Sequence, residues 1–189
     1  MSSAVCKVAT LAVLAFSVVP TACIAAWELS GTKAIFVTTA DGTRINLGSV
    51  DFTPTTDAAA TFKIKLDTAP FTDHFLSMRE FKCLQGTTEL TCHVPYPHAN
   101  PRTVKIGNLA WLEHSLLFFY KLPSDFGAKL WNGIYFELQP TDSGLIGKPQ
   151  AIDLNLIAAP PANTATPPYR SSLRDDMPAG RWIKSLSIE

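Results

Sequence analysis

The sequence predicts a mainly β protein, a β-sandwich or barrel-like antiparallel sheet with one short helix near residues 109–121; an α+β arrangement is the alternative. Three patterns lead there. Ala60, Phe62, Ile64 and Leu66 alternate with Thr61, Lys63, Lys65 and Asp67, the period of a strand with one buried face. The same period returns at Ile134, Phe136 and Leu138, and again at Ile152, Leu154 and Leu156, with turn residues Pro140 to Gly144 between the two runs; a hairpin follows. Asp41-Gly42 stands between the strand-like runs Trp27 to Thr39 and Arg44 to Phe52, a strong short-range hairpin signal.

In chain order, residues 1–26 (MSSAVCKVATLAVLAFSVVPTACIAA) carry one Lys, no acidic residue and an apolar run from Val8 to Val19 that Pro20 ends. Small residues follow, so the segment reads as a cleaved secretory signal peptide. The run is short of the roughly 20 apolar residues that a membrane-spanning helix needs, so no transmembrane anchor is expected in the mature chain. The expected address is periplasmic or secreted. The alternative is a lipid anchor through Cys23, although Pro20 stands where such motifs usually carry leucine. Residues 27–157 then form a β-rich globular domain. Residues 158–172, with four prolines in AAPPANTATPPYRSS, form a linker or an arm lying over it. Residues 173–189 recover alternation through Trp182, Leu186 and Ile188, interrupted at Lys184, and suggest an edge strand.

The helix rests on Leu109, Leu112, Leu116 and Tyr120 at helical spacing, with Asn108 as a cap and Pro123 beyond the end. Its Leu-Leu-Phe-Phe-Tyr stretch would serve equally as a buried strand, and periodicity does not separate the two. A second short helical turn is expected between Ser124 and Trp131. Beyond the leader, Cys83 and Cys92 flank a segment with turn chemistry at its centre. Two antiparallel strands would bring both sulfurs to one rung, and a disulfide suits the expected compartment.

Charge narrows the partners. Lys and Arg number 16, Asp and Glu 16, and charged residues make up 17% of the chain. With no basic cluster, the electrostatic footprint of a nucleic-acid binder is missing, as is polybasic attraction to anionic lipid. The 14 Pro and 11 Phe are equally unlike the charge-rich, aromatic-poor composition of disordered or coiled-coil chains.

Catalytic motifs are weak. Ser30-Gly31-Thr32-Lys33 matches an S-x-x-K pattern, but it opens a strand-like segment that would send Ser30 and Lys33 to opposite faces. Gly144-Leu145-Ile146-Gly147-Lys148 lacks two residues of a phosphate loop and is followed by Pro149; it reads as a turn. Asp73-His74 and Glu113-His114 are adjacent pairs, whose side chains diverge on strand and helix alike. Cys83, Cys92, His93 and His98 are the ligand types of tetrahedral zinc, but at unusual spacing and with a disulfide competing for the thiols. No metal and no cofactor is expected.

The segment His93 to Arg102 (HVPYPHANPR) is the candidate recognition loop. Its three prolines pre-set an extended backbone, and His93, Tyr96, His98 and Arg102 offer stacking and hydrogen-bonding groups at low entropic cost. Trp111, Trp131 and Tyr135 are candidates for pocket walls, although aromatics at such positions more often serve the core. The expectation is an exported, non-enzymatic domain that binds a small apolar ligand or an envelope partner. The alternatives are a hydrolase of envelope polymers, with His93 or His98 as base and Asp73 or Glu113 as its orienter, and a structural subunit.

The leader reading makes a direct prediction. N-terminal sequencing of the protein from its native host should find Ala26 or Trp27 first; an intact Met1 or an acylated Cys23 would contradict it.

Overall fold

A computed structural model describes residues 28–55 and 58–189; the expected signal peptide and Cys23 lie outside them. The described residues are mostly antiparallel β, in one curled half-barrel sheet with one short helix among them. In order, the elements are β1 (Gly31–Thr39), β2 (Arg44–Pro54), β3 (Ala59–Leu66), β4 (Lys82–Gln85), β5 (Leu90–Val94), β6 (Thr103–Lys105), α1 (Ala110–Glu113), β7 (Leu117–Lys121), β8 (Gly133–Thr141), β9 (Gly144–Ile152), β10 (Asp175–Asp176) and β11 (Ile183–Ile188). Across the sheet the order is β4-β5-β7-β8-β9-β11-β1-β2-β3-β6, with β10 on the side of β9.

The Asp41-Gly42 hairpin forms as the sequence indicates. Thr39 and Thr43 close it at 2.9 Å, Gly42 takes φ +83°, and the Asp41 carboxylate accepts from the Thr43 amide. In β2 the register slips beside Gly48, which is why Leu47 and Val50 both face the core although they stand three positions apart, an odd spacing. Gly48 sits at φ +129°, and a Cβ there would lie 2.1 Å from the Lys65 carbonyl oxygen, so only glycine fits.

The sheet buries residues on both faces. One cluster joins Ile35, Val50 and Phe62 from one half of the sheet to Phe118, Phe136 and Leu186 from the other, with Leu112 of α1 and Leu116 just after it. Only the concave face can bring strands from both ends together, so this is the inner core. A second cluster on the outside of β5, β7 and β8 contains Leu90, Leu117, Phe119, Tyr135, Leu154 and Tyr169.

Double burial explains a misreading. The helix expected over 109–121 is only Ala110–Glu113, and Leu117–Lys121 is strand β7. A strand covered on both faces loses its alternation and reads as a continuous apolar run. Other expectations also change. The strand placed at Ile152, Leu154 and Leu156 ends at Ile152. Beyond it, the Asp153 side chain accepts the Asn155 amide at 2.9 Å and starts a 3₁₀ turn, Leu154–Ile157, that buries Leu154 and Ile157 and exposes Leu156. Gly144 to Lys148 is the start of β9 rather than a turn. No helical turn forms between Ser124 and Trp131. Pro149, in the middle of β9, falls where that strand's outer side passes from β11, paired as far as Gly147, to β10, paired from Gln150. No ladder bond needs its missing N–H there.

The tail strand is internal, not an edge. β11 pairs with β1 on one side and β9 on the other. Its broken alternation has a local cause: Thr38 pairs with Ser185 and Thr39 with Ile183, so Lys184 is a bulge. The bulge lets Ile183 and Leu186 share the buried face.

Cys83 and Cys92 face each other on the β4–β5 rung with their sulfurs 2.07 Å apart. This strand pairing is the one the sequence implies.

The position of β11 leads to a stability prediction. Leu186→Ala should destabilise the fold by about 2–5 kcal/mol through cavity formation. Lys184→Ala, at the exposed bulge, should stay within about 0.5 kcal/mol of the parent. Urea denaturation followed by tryptophan fluorescence would measure both.

Candidate functional site

The loop between β5 and β6 is fixed at three points. The His98 Nε2–H donates to the Ile157 carbonyl at 2.9 Å, tying the loop to the 3₁₀ turn. Asn100 Nδ2 donates to the Trp111 carbonyl (3.1 Å) and to Ser115 Oγ (2.9 Å), while its Oδ1 accepts the Arg102 amide at 2.7 Å. Arg102 itself takes φ +53°, a left-handed conformation uncommon outside glycine and stabilised here by its surroundings. Pro95, Pro97 and Pro101 stiffen the intervening backbone.

So held, the loop walls two recesses. On one side, His93, Tyr96, His98 and Arg102 line an open groove of about 590 Å³, whose far wall is Phe62, Lys63, Ile64 and Leu66 of β3. On the other side, Val94, Pro95 and Pro97 border a smaller recess of about 360 Å³ with Phe81, Leu154 and Ile157. The groove thus brings four of the sequence-derived candidates together. Trp111 is buried behind Tyr96, ring centroids 6.1 Å apart. Trp131 is 59% exposed and lies apart from both recesses, its ring under the Lys129 ammonium at 5.3 Å. The residues that sequence reasoning missed are those of β3, together with Asn100 and Ser115. The alternation of β3 signalled a strand, but nothing local showed that its rim would face the loop.

Hydrogen-bond partners separate the four histidines from the roles the sequence offered them. The His93 ring is buried and its Nε2–H donates to the Ser115 carbonyl at 3.1 Å. Burial pushes it down to about 4, against the pull of that carbonyl, so it is neutral at ordinary pH. His114 donates from Nδ1 to the Ala110 carbonyl (2.7 Å) and accepts the Tyr169 amide at Nε2 (3.1 Å). Burial lowers it to about 4 as well, with Ala110 opposing and Arg174 adding a smaller push. His74 meets the Thr72 hydroxyl. Among the described residues no histidine pairs with a carboxylate. The two proposed orienters are engaged elsewhere: Asp73 pairs with Lys82 at 2.6 Å, and Glu113 accepts from Tyr135 Oη and, at 2.8 Å, from the Leu138 amide. Burial holds the Glu113 carboxyl above the ordinary carboxylate range, against those two hydrogen bonds. Glu113 pins α1 to β8. The zinc constellation is not assembled either: Cys92 faces the outer cluster and His93 the groove, as neighbours on a strand must. No group of three or more His, Cys, Asp or Glu suited to a metal occurs among the described residues.

The Pro-rich stretch contributes one anchor. Tyr169 is buried, stacks on His114 at 5.4 Å between centroids, and donates its hydroxyl to the Asp153 carbonyl at 2.9 Å. Most of its neighbours from Ala158 to Arg170 are exposed.

No family model, curated protein or solved structure matches this chain.

The buried histidines make stability depend on pH with a definite sign. An unfolded histidine titrates near 6.5, whereas the folded chain holds His93 and His114 at about 4. Their contribution is therefore complete above pH 6.5 and is lost as pH falls toward 4. Glu113, raised in the folded state, works in the opposite direction at the acid end. The melting temperature should be flat from pH 6.5 to about 9, below the range where unfolded tyrosines ionise, and drop by about 5 °C or more by pH 4.5, with a shallower slope in His114→Gln.

Proposed function

We propose that the protein is exported to the periplasm or cell exterior and serves there as a non-enzymatic domain that binds a small apolar ligand in the recess behind the 93–102 loop. The observation that carries this reading is the lining of that recess. Val94, Phe81, Leu130, Leu154 and Ile157 supply apolar surface, Pro95 and Pro97 stiffen one wall, and among the described residues Glu80 is the only ionisable one at it. A concave, largely apolar and pre-formed pocket of a few hundred Å³ is the usual form of a small-molecule site. The half-barrel's own interior offers a ligand no comparable space, because Ile35, Leu47, Leu112, Leu116 and Phe118 fill it at 0–1% exposure. Export is supported by the leader-like residues 1–26 and, weakly, by the Cys83–Cys92 pair at disulfide distance.

A hydrolase is less well supported, since neither Asp73 nor Glu113 orients a histidine and His93 and His98 both donate to backbone carbonyls. The backbone bond of His98 gives it a tethering role instead.

A neutral fluorescent probe, N-phenyl-1-naphthylamine, tests the recess. The parent protein should bind it saturably with enhanced emission. Ala158→Trp, at an exposed position on the rim, should fill the recess and weaken binding tenfold or more, roughly the cost of losing a well-buried apolar contact. Equal probe binding by parent and variant would exclude the recess as the site.

A further inference from the structure

We propose that the groove on the opposite side of the loop is a second site, which takes an extended, acidic segment of a partner protein as an added strand on β3. The proposal goes beyond the apolar recess and does not depend on it.

The open rim of β3 is its foundation. β3 pairs with β2 along its length, but β6 covers the other side only from Ala59 to Thr61. The last bond on that side is the Phe62 amide donating to the Arg102 carbonyl at 2.9 Å. Because N–H and C=O groups alternate sides along a strand, the Phe62 carbonyl and the amides and carbonyls of Ile64 and Leu66 also point to that rim. Their odd-numbered neighbours serve β2, as the Asp67 amide does in donating to Leu47. Among the described residues no backbone partner meets those rim groups. A row of unpaired groups is a template for another strand.

The same structure shows why the rim stays uncovered. A chain running on from β6 would pair the Arg102 amide back to Phe62. Instead Asn100 Oδ1 captures that amide, and Arg102, at φ +53°, turns the loop away from β3. Asn100 is itself anchored to Trp111 and Ser115, so the departure is built into the core. The peeled loop becomes the opposite wall of the groove, leaving about 590 Å³ between them.

Charge selects the partner. Among the described residues no Asp or Glu lines the groove, whereas Lys63 and Arg102 do, and no described acidic side chain forms an ion pair with either. Asp51, opposite Lys63 on the β2–β3 ladder, is engaged by the Thr32 hydroxyl. Phe62, Ile64 and Leu66 add an apolar side to the groove. An incoming strand with alternating apolar and acidic side chains would place the first toward Ile64 and Leu66 and the second toward Lys63 and Arg102.

A displayed library of random heptapeptides, panned on the immobilised folded protein, tests this. Enrichment of Asp- or Glu-containing peptides with alternating apolar residues is expected. Binding of a selected synthetic peptide should slow hydrogen exchange at the Ile64 and Leu66 amides. Methylating the peptide's backbone nitrogens on alternate residues, in either frame, should show one frame that loses binding tenfold or more. The double variant Lys63→Glu, Arg102→Glu, altered only at exposed positions, should weaken binding at least tenfold. Failure to enrich such peptides, or binding indifferent to both methylation frames and to charge reversal, would overturn the proposal. Probe binding in the apolar recess, measured on the same samples, reports separately on the proposed function: loss of peptide binding with the probe retained removes only the second site.

Discussion

The C-terminal strand pairs with β1 on one side and with β9 on the other, and the rest of the sheet depends on that double pairing. Without β11 the molecule is two antiparallel sheets, β1-β2-β3-β6 and β4-β5-β7-β8-β9, each with an apolar face open to water. Leu186 and Ile188 complete the inner core at the centre of the join, and Ala34 and Glu189 exchange backbone bonds at 2.8 and 3.0 Å. The entry to the strand is pinned as well. The buried Glu89, in the turn between β4 and β5, accepts the Trp182 amide at 2.9 Å and faces the Arg181 guanidinium at 3.3 Å. The two sheets can thus assemble into one curved layer only after the last residues of the chain are in place. Such long-range pairing is entropically costly before its contacts form.

Curvature, in turn, produces the second buried layer. Once β5, β7 and β8 have the inner core on one side, their other face carries Leu117, Phe119 and Tyr135, which need cover. The 3₁₀ turn and Tyr169 supply it. His114 links the two layers: its ring lies between Tyr96, Tyr135 and Tyr169, while its two nitrogens satisfy an α1 carbonyl and an amide of the arm. A neutral imidazole suits this position because one nitrogen donates and the other accepts. A charged one would present a donor to the Tyr169 amide.

The 93–102 loop illustrates how a stiff segment acquires two faces. Proline restricts its backbone, His98 ties it to the 3₁₀ turn, and Asn100 ties it to α1. It stands clear of the sheet as a partition with an apolar recess behind it and a cationic groove in front. Both recesses depend on the same few hydrogen bonds, so their geometry is shared although their chemistry differs.

Much of this was written locally in the sequence. The Asp41-Gly42 turn, the alternation of β3, the first half of the β8–β9 hairpin and the Cys83–Cys92 rung follow from rules that operate over a few residues, and the structure has each of them. The clustering of His93, Tyr96, His98 and Arg102 was legible for the same reason, since they lie on one proline-stiffened loop. What the sequence did not reveal depends on neighbours far along the chain. Leu117–Lys121 became a strand because both its faces are covered, Trp131 was left on the surface, and β11 moved from an expected edge to the centre. The exposed rim of β3 was decided where Asn100 turns Arg102 aside. Local pattern specifies which face of an element is apolar. Only the tertiary arrangement determines how many faces are buried, which edges are paired and which side chains meet across a groove, because those outcomes depend on contacts between residues separated by most of the chain.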